Sequence, residues 1–351
     1  MVGELHGFWW EVPTTGFRWV RGEPVKKKDR REGRVTDRLR AWGVEPDLDW
    51  YLVMNPAEGR RPDVRPYDAL SVEPALFRTF AGTEPSRKGI LRFANRYGWL
   101  KSGTGIRAKE PEERARFGGA LIGEGLETWR GHIRLVSELV HLWDLYDRGD
   151  ERELSRHIRW NDSKDGVDYC GRPDDKRPAY IPGRAKSLTQ LPEAIARNRE
   201  PVVSEEVFKR LTPGEVLLPA IIYLQRRINE QLDVKSFPRL LWDQDGQLRL
   251  RPPPGDLINM LWLQFADTVS GKASYRACLS CGRWVRVGPD AARTSRLYCS
   301  NACRTRGLRQ RQQTARALHA QGKSIEAIAE ELDSDVPTVT KWVAGGQEGV
   351  D

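Results

Sequence analysis

Cys278-Leu279-Ser280-Cys281, followed seventeen residues later by Cys299-Ser300-Asn301-Ala302-Cys303, decides how this chain is read. A cation that prefers thiolates takes four ligands at fixed angles, and two close pairs supply them from two separate local structures. The Cys-x-x-Cys turn offers two sulfurs from one backbone knuckle. Ser300 is placed to cap a helix that begins at Asn301. Cys303 then falls in the first helical turn, where backbone N–H groups favour a thiolate. The spacing predicts one Zn²⁺ held by Cys278, Cys281, Cys299 and Cys303. Gly282 and Gly288-Pro289 are expected to turn a short hairpin between the pairs. Disulfides are the competing use of four such thiols, but they need an oxidising compartment, and no signal-peptide pattern opens the chain. Four of the five cysteines fall within 26 positions, which scattered thiols would rarely do. The fifth, Cys170, stands in a turn-like stretch and reads as a structural thiol.

Working outward from the cysteines, charge is the next signal. Twelve basic residues and one acid, Asp290, lie between Lys272 and Lys323, whereas the whole chain carries only +9. The basicity is therefore local, which is the electrostatic footprint of a polyanion partner. A helix from Asn301 to Gln321, with Gly307 as a candidate break, would align Leu308, Ala315 and Leu318 on one face. Arg306, Arg309, Gln313 and Arg316 fall on the opposite face. Arg304 and Arg311 sit with the apolar stripe and are expected to snorkel or to pair with carboxylates. Gly322 ends this helix and Ser324 caps the next, Ile325 to Leu332, whose Ile325, Ile328, Ala329 and Leu332 keep helical spacing. Asp335 caps a last helix, Val336 to Ala344. Val339, Trp342 and Val343 would face its core and leave Thr338, Thr340 and Lys341 outside. The nucleic-acid contacts expected are Arg306, Arg309 and Arg316 on phosphates, and Thr338, Thr340 and Lys341 on base edges.

Two resemblances follow from these residues. A cysteine knuckle joined to a helix N-terminus is the layout of treble-clef-like zinc modules. The run Arg296-Leu297-Tyr298-Cys299-Ser300-Asn301-Ala302-Cys303-Arg304-Thr305-Arg306 resembles the end of bacterial CGNR-type zinc fingers over roughly forty residues. It departs from them where that family has Cys-Gly-Asn-Arg and this chain has Cys303-Arg304-Thr305-Arg306. Gly322, Ser324, Ile328, Ala329, Leu332, Thr338, Val339 and Trp342 are similar to the Hin and transposase type of helix-turn-helix over about thirty-five residues. The resemblances imply a transcription regulator with an N-terminal sensing domain.

Upstream of the tail the chain reads as a mostly helical α+β domain. Residues 7–12 and 16–21 are expected as two strands of a hairpin joined at Pro13-Thr14-Thr15, and 50–54 as a buried strand. Residues 55–66 read as a loop, and the basic run 26–31 as a solvated one. Helices are expected from Glu73, over 84–97, over 126–146, near 204–211, over 213–232 and over 256–269. The helix at 126–146 places Leu126, Trp129, Ile133, Val136, Val140 and Trp143 on one stripe. It also carries Glu138 and His141 at Glu-x-x-His spacing, but no second such pair exists to complete a carboxylate-bridged metal site. The phrase Phe93-Ala94-Asn95-Arg96-Tyr97-Gly98-Trp99-Leu100 is distinctive without suggesting a chemistry. Residues 164–186 read as irregular with a short hairpin, and 240–250 as a hairpin around Asp243-Gln244-Asp245-Gly246.

The expected organisation is an N-terminal α+β domain over 1–271 with a sub-boundary near 105. A four-cysteine zinc module over 272–308, a helix-turn-helix over 309–346 and a disordered end at 347–351 follow it. At 351 residues, with 39% hydrophobic and 30% charged side chains, the chain has the composition of an ordinary globular protein. Its longest apolar run, 216–224, contains Pro219 and is too short to span a bilayer, so a cytoplasmic chain that does not enter membranes is expected. The reading is a zinc-containing, DNA-binding transcription regulator. Its partner would be double-stranded DNA, with a small molecule or a protein as ligand of the N-terminal domain. Two other readings stand beside it. One is a nucleic-acid-targeted enzyme or toxin, for which no P-loop, Gly-x-Ser-x-Gly or His-Glu-x-x-His motif is present. The other is an RNA-binding or mobile-element accessory protein.

Overall fold

The computed structural model describes residues 9–25, 49–55, 63–101, 103–117, 120–160, 167–169, 179–181, 210, 212–232, 239–242, 248–251, 256–271, 274–287 and 296–344. The fold is α+β. Contacts divide the chain into two compact units, the first made of Met1–Val72 and Leu76–Ser270 and the second of Gly271–Asp351 together with the short segment Glu73–Ala75. The expectations for Cys170, the basic run 26–31, the helix near 204–211 and the end at 347–351 fall outside the described residues.

The first unit opens with β1 (Trp9–Pro13), β2 (Phe17–Pro24), β3 (Trp50–Met54) and β4 (Val64–Asp68). The tight turn expected after Pro13 is present, with the Gly16 N–H donating to the Pro13 carbonyl at 3.0 Å. The strands on either side of it are not a hairpin, however. β1 pairs with β4, so the expected loop at 55–66 gives way to a strand from Val64. β2 pairs with β3 on one edge. On its other edge it meets β5 (Thr104–Ala108), which follows α1 (Ala69–Val72), α2 (Leu76–Ala81) and α3 (Arg87–Tyr97). After α4 (Pro111–Phe117), β6 (Ala120–Gly125) pairs with both β3 and β5 and closes a four-stranded antiparallel barrel. Closure leaves these strands no free edge. The barrel is filled by Val20, Tyr51, Val53, Ile106, Ala108 and Leu121. Position 105, the expected sub-boundary, lies inside β5.

A helical layer follows, led by α5 (Leu126–Asp147), whose predicted stripe is buried throughout. The chain continues through α6 (Glu151–His157), β7 (Ile158–Trp160), β8 (Val167–Tyr169) and β9 (Ala179–Ile181), the last three forming an antiparallel sheet. Next come α7 (Leu217–Leu232), the hairpin of β10 (Arg239–Trp242) with β11 (Leu248–Arg251), and α8 (Leu257–Val269). Helices α2, α5, α7 and α8 pack on one another. Phe77 stacks on Phe265 with centroids 5.2 Å apart, and Phe93 meets Trp129 edge-on at 6.0 Å. Arg78 grips Asp144 of α5 through two hydrogen bonds of 3.1 and 2.7 Å. Glu138, on the same helix, accepts a hydrogen bond from Tyr169. Burial first and Glu138 second push the Tyr169 hydroxyl well above its usual range.

The distinctive phrase at 93–100 is a structural hub. The Asn95 Oδ1 accepts the Phe17 N–H at 2.7 Å and so fixes the entry to β2 from α3. Tyr67 donates to the Tyr97 carbonyl at 2.6 Å, tying β4 to the same helix. Gly98 has φ of +88°, and a side chain there would come within 2.7 Å of the Glu11 carbonyl. Next, the Leu100 and Lys101 N–H groups donate to the Glu124 carboxyl at 3.1 and 2.7 Å, and the Leu100 carbonyl accepts the Ile258 N–H at 2.9 Å. One short segment therefore joins barrel strand β6 to α8.

Glu124 is buried. Burial raises its carboxyl from the ordinary 4.5 to about 8, against the opposing pull of the Lys101 and Leu100 N–H groups. The native state thus holds a proton that the unfolded chain releases near 4.5, and stability should fall as pH rises from there toward 8. Urea unfolding at a series of pH values should show this decline. Glu124→Gln, which cannot titrate, should flatten it, and an unchanged slope in that variant would assign the pH dependence elsewhere.

Candidate metal centre and the helices it anchors

In the second unit, β12 (Ser274–Ala277) pairs with β13 (Trp284–Val287). The cysteine turn is the loop of this hairpin, so the hairpin flanks the first pair and does not lie between the two pairs as expected. The turn closes when the Gly282 N–H donates to the Cys278 carbonyl at 2.9 Å and the Cys278 N–H to the Arg283 carbonyl at 2.8 Å. The second pair sits at the start of α9 (Asn301–Ala320). Ser300 is its N-cap, accepting the Cys303 N–H at 3.2 Å. The Leu279 N–H donates to the Leu297 carbonyl at 3.1 Å and binds the two halves together.

The four sulfurs lie within 4.8 Å of one another. Cys281 and Cys299 are 3.6 Å apart, and Cys299 and Cys303 are 3.4 Å apart. All four cysteines are free, and these separations are far above the roughly 2.05 Å of a disulfide. They match the edges of a tetrahedron, about 3.8 Å for metal–sulfur bonds of about 2.3 Å. These residues can therefore hold one metal ion. Among the described residues no other group of three or more histidines, cysteines or carboxylates could do so, and Glu138 and His141 do not form one.

Electrostatics favour the same use. Burial disfavours the Cys278 thiolate, but N–H groups of Cys299, Ser280 and Cys281 outweigh it and bring the thiol down to about 6. Hydrogen bonds, first from Cys299, hold Cys303 below its ordinary value. Cys299 is pushed up to about 12 by burial and by its role as donor to Cys303, Cys281 and Cys278. Cys278 and Cys303 are thus biased toward the thiolate, whereas burial and donation to its neighbours hold the proton on Cys299. Ionising all four without a cation would set like charges against one another. A cation at the centre removes that repulsion and deprotonates all four.

Sequence reading missed three residues that brace this centre. Arg296 donates to the Tyr298 carbonyl at 2.9 Å and the Cys299 carbonyl at 2.6 Å, so this cation supports the second pair. The Tyr298 ring lies on Gly307, where an added Cβ would meet it at 2.5 Å. Gly307 does not break α9. It leaves room for the ring that packs against Cys278, Val285 and Cys303. A glycine about two helical turns beyond a Tyr-Cys pair was the available signal, but a helix break explains a glycine equally well in sequence.

The helix α9 continues unbroken across position 308 into a three-helix arrangement with α10 (Ile325–Glu331) and α11 (Val336–Ala344). Ala315, Ile328, Ala329, Val339 and Trp342 form its core, with Leu318, Ile325, Leu332 and Val343 packed around them. Leu308 is exposed and takes no part in the predicted stripe. Arg311, expected to snorkel or to pair with a carboxylate, has no carboxylate partner among the described residues. Its guanidinium donates to the Leu332 and Asp333 carbonyls at 2.6 and 3.1 Å, which caps the end of α10, and lies over the Trp342 ring.

The expected nucleic-acid contacts are placed as follows. Arg306 and Arg309 are exposed on α9. Arg316 is also exposed, but its Nε donates to the Trp342 carbonyl at 2.8 Å, so it holds the end of α11 as well. Thr338 is half-buried, with its N–H and hydroxyl both on Asp335 at 2.8 Å in a capping arrangement. Thr340 and Lys341 are exposed, and the Thr340 hydroxyl donates back to the Val336 carbonyl at 2.9 Å. Among the described residues no helix is long and apolar enough to cross a membrane. Comparison with protein-family models, with curated proteins and with solved structures finds no match.

The Tyr298–Gly307 contact gives a direct test of how the metal centre is joined to α9. Gly307→Ala should destabilise the second unit by roughly 1–3 kcal/mol through overpacking against the ring. Adding Tyr298→Ala should remove most of the clash, so the two changes should be strongly non-additive in urea unfolding. Additive effects would show that the ring and the glycine do not touch.

Proposed function

We propose that the second unit is a zinc-stabilised module that binds double-stranded DNA, and that the chain is a bacterial transcription regulator related to the CGNR-type zinc-finger proteins. In this reading the first unit responds to a small molecule or a protein. One observation carries the nucleic-acid part. Among the described residues from Ser274 to Ile325 there is no carboxylate side chain, while α9 presents Arg306 and Arg309 to solvent between the metal knuckle and the helix pair. Such a cation-only surface is suited to a polyanion.

Zinc is the metal that best suits four protein sulfurs with no open position, an arrangement that stabilises structure and leaves no site for substrate. The four cysteines would hold it, and the ion would supply only charge and fixed geometry. The rest follows from the chain's own residues. The knuckle fixes the N-terminal end of α9, α9 lays Arg306 and Arg309 along phosphates, and Arg311 and Arg316 hold α10 and α11 against it. Thr340 and Lys341 then reach base edges. With a single cation on α11, affinity comes mainly from the backbone, and α11 tunes the choice of sequence.

Elemental analysis of the full chain should find one zinc per molecule, and changing any of the four cysteines to Ser should abolish it. Titrations of mixed-sequence duplexes at several salt concentrations test the DNA reading. Arg306→Ala or Arg309→Ala should weaken binding to all duplexes alike and lower the salt slope by about one unit each. Lys341→Ala should instead alter the preference among sequences, by about 1–3 kcal/mol for each good base-edge interaction it removes. An unchanged slope in both arginine variants would remove α9 from the DNA backbone. Tighter binding of structured RNA than of duplex would favour the RNA reading.

A further inference from the structure

The metal knuckle has a feature that neither metal binding nor phosphate contact uses. Leu279 lies between the two ligands of the first pair and is 66% exposed, and Leu297, two residues before Cys299, is 42% exposed. The Leu279 N–H to Leu297 carbonyl bond places the two residues side by side. A knuckle closed by a metal needs no large apolar residue at its tip. Two adjacent leucines left in water contribute little to the folding of this small module, and burial of their side chains is still to be gained.

The surroundings define the partner. Arg283, whose carbonyl closes the knuckle, is exposed, as is Arg296 beside Leu297. Arg304 and Arg306 follow on the first turns of α9, also exposed. No described residue from Ser274 to Ile325 carries a carboxylate. An apolar tip close in the chain to exposed arginines, of which Arg296 also braces the Tyr298 and Cys299 carbonyls, complements a ligand with anionic edges and an apolar interior. A nucleic-acid duplex has that construction, with phosphates outside and base faces within. Its base faces become accessible when an aliphatic side chain enters a step and partly unstacks it.

We propose that Leu279, supported by Leu297, is an apolar wedge that enters a base step of the bound duplex while the flanking arginines hold the phosphates on either side. This rests on the DNA-binding reading above and assigns the metal knuckle a direct role in it. The backbone constraints fit that task. The turn is closed by two hydrogen bonds and bridged to Leu297 by a third. The leucine is therefore presented on a fixed support, and little conformational freedom remains to be lost on insertion.

The test uses the full chain, loaded with metal, and a mixed-sequence duplex containing 2-aminopurine, whose fluorescence rises when its base is unstacked. The wild-type chain should bind with a salt-dependent affinity and raise the fluorescence. Leu279→Ser should retain its metal, since the side chain is exposed. It should bind about tenfold more weakly, as expected when roughly one leucine side chain no longer leaves water on binding, with an unchanged salt slope and no fluorescence rise. Leu279→Met should recover most of both. Wild-type affinity and fluorescence in Leu279→Ser would overturn the wedge and leave the DNA-binding reading standing. Wild-type self-association that Leu279→Ser abolishes, with DNA binding intact, would overturn it too and assign the leucines to an interface between copies. Absence of duplex binding by the wild-type chain would overturn both the wedge and the reading beneath it.

Discussion

Four sulfurs within 4.8 Å of one another are a demanding arrangement. Ionised, they repel; protonated, they donate hydrogen bonds to one another in place of packing as ordinary apolar side chains. The rest of the second unit depends on resolving that conflict. Cys303 is in the first turn of α9, Cys278 and Cys281 are in the β12–β13 turn, and Tyr298 packs between them onto Gly307. A cation that satisfies the sulfurs fixes the start of a helix of 20 residues, about 30 Å long. The far half of that helix is one wall of the three-helix core. The cluster at this end of α9 buries only Cys278, Val285 and Cys303, with Tyr298 and Cys299 against them, so a metal ion on the sulfurs would add the rigidity that so small a cluster lacks.

The tail was legible in the sequence because its rules are local. Ser300, Ser324 and Asp335 cap the helices that their spacing predicts, and Gly322 has φ of +85° at the end of α9. Ile328, Ala329, Val339 and Trp342 are buried as periodicity requires. What failed there was tertiary. Leu308 has helical spacing with Ala315, but the core begins farther along α9, where α10 and α11 meet it, and periodicity alone does not mark that starting point. Gly307 was ambiguous for the same reason, because what it accommodates is a ring from before the start of its own helix.

The barrel was not legible, and the cause is physical. Its closing contacts join Gly22 to Ala108 and Leu52 to Glu124, pairings that no local pattern encodes. The strands β5 and β6 are short and contain glycine, which hides them from propensity. Two strands joined by a tight turn were expected to pair with each other, yet β1 and β2 go to different sheets because Asn95 takes the Phe17 N–H and α3 packs against both. The hub at 93–100 shows why a distinctive phrase need not be a catalytic one. Its polar groups serve neighbouring backbone in the first unit, and Glu124 answers two N–H groups at its end.

Charge in the second unit reverses along the chain, and the reversal constrains how a polyanion could approach. The stretch through α9 is basic, whereas α10 carries Glu326, Glu330 and Glu331, all exposed, and the next turn adds Asp333 and Asp335. Lys323 pairs with Glu331 at 2.5 Å and offsets one of these charges. A phosphate backbone laid along α10 would meet like charge, a cost that rises at low salt. On the DNA-binding reading proposed above, the approach that meets least like charge is along the exposed Arg306 and Arg309 of α9, away from α10. On that same reading, the exposed Glu326, Glu330 and Glu331 of α10 would also disfavour a second, misregistered mode of binding, because like charge there opposes any duplex that is not seated on the arginines of α9.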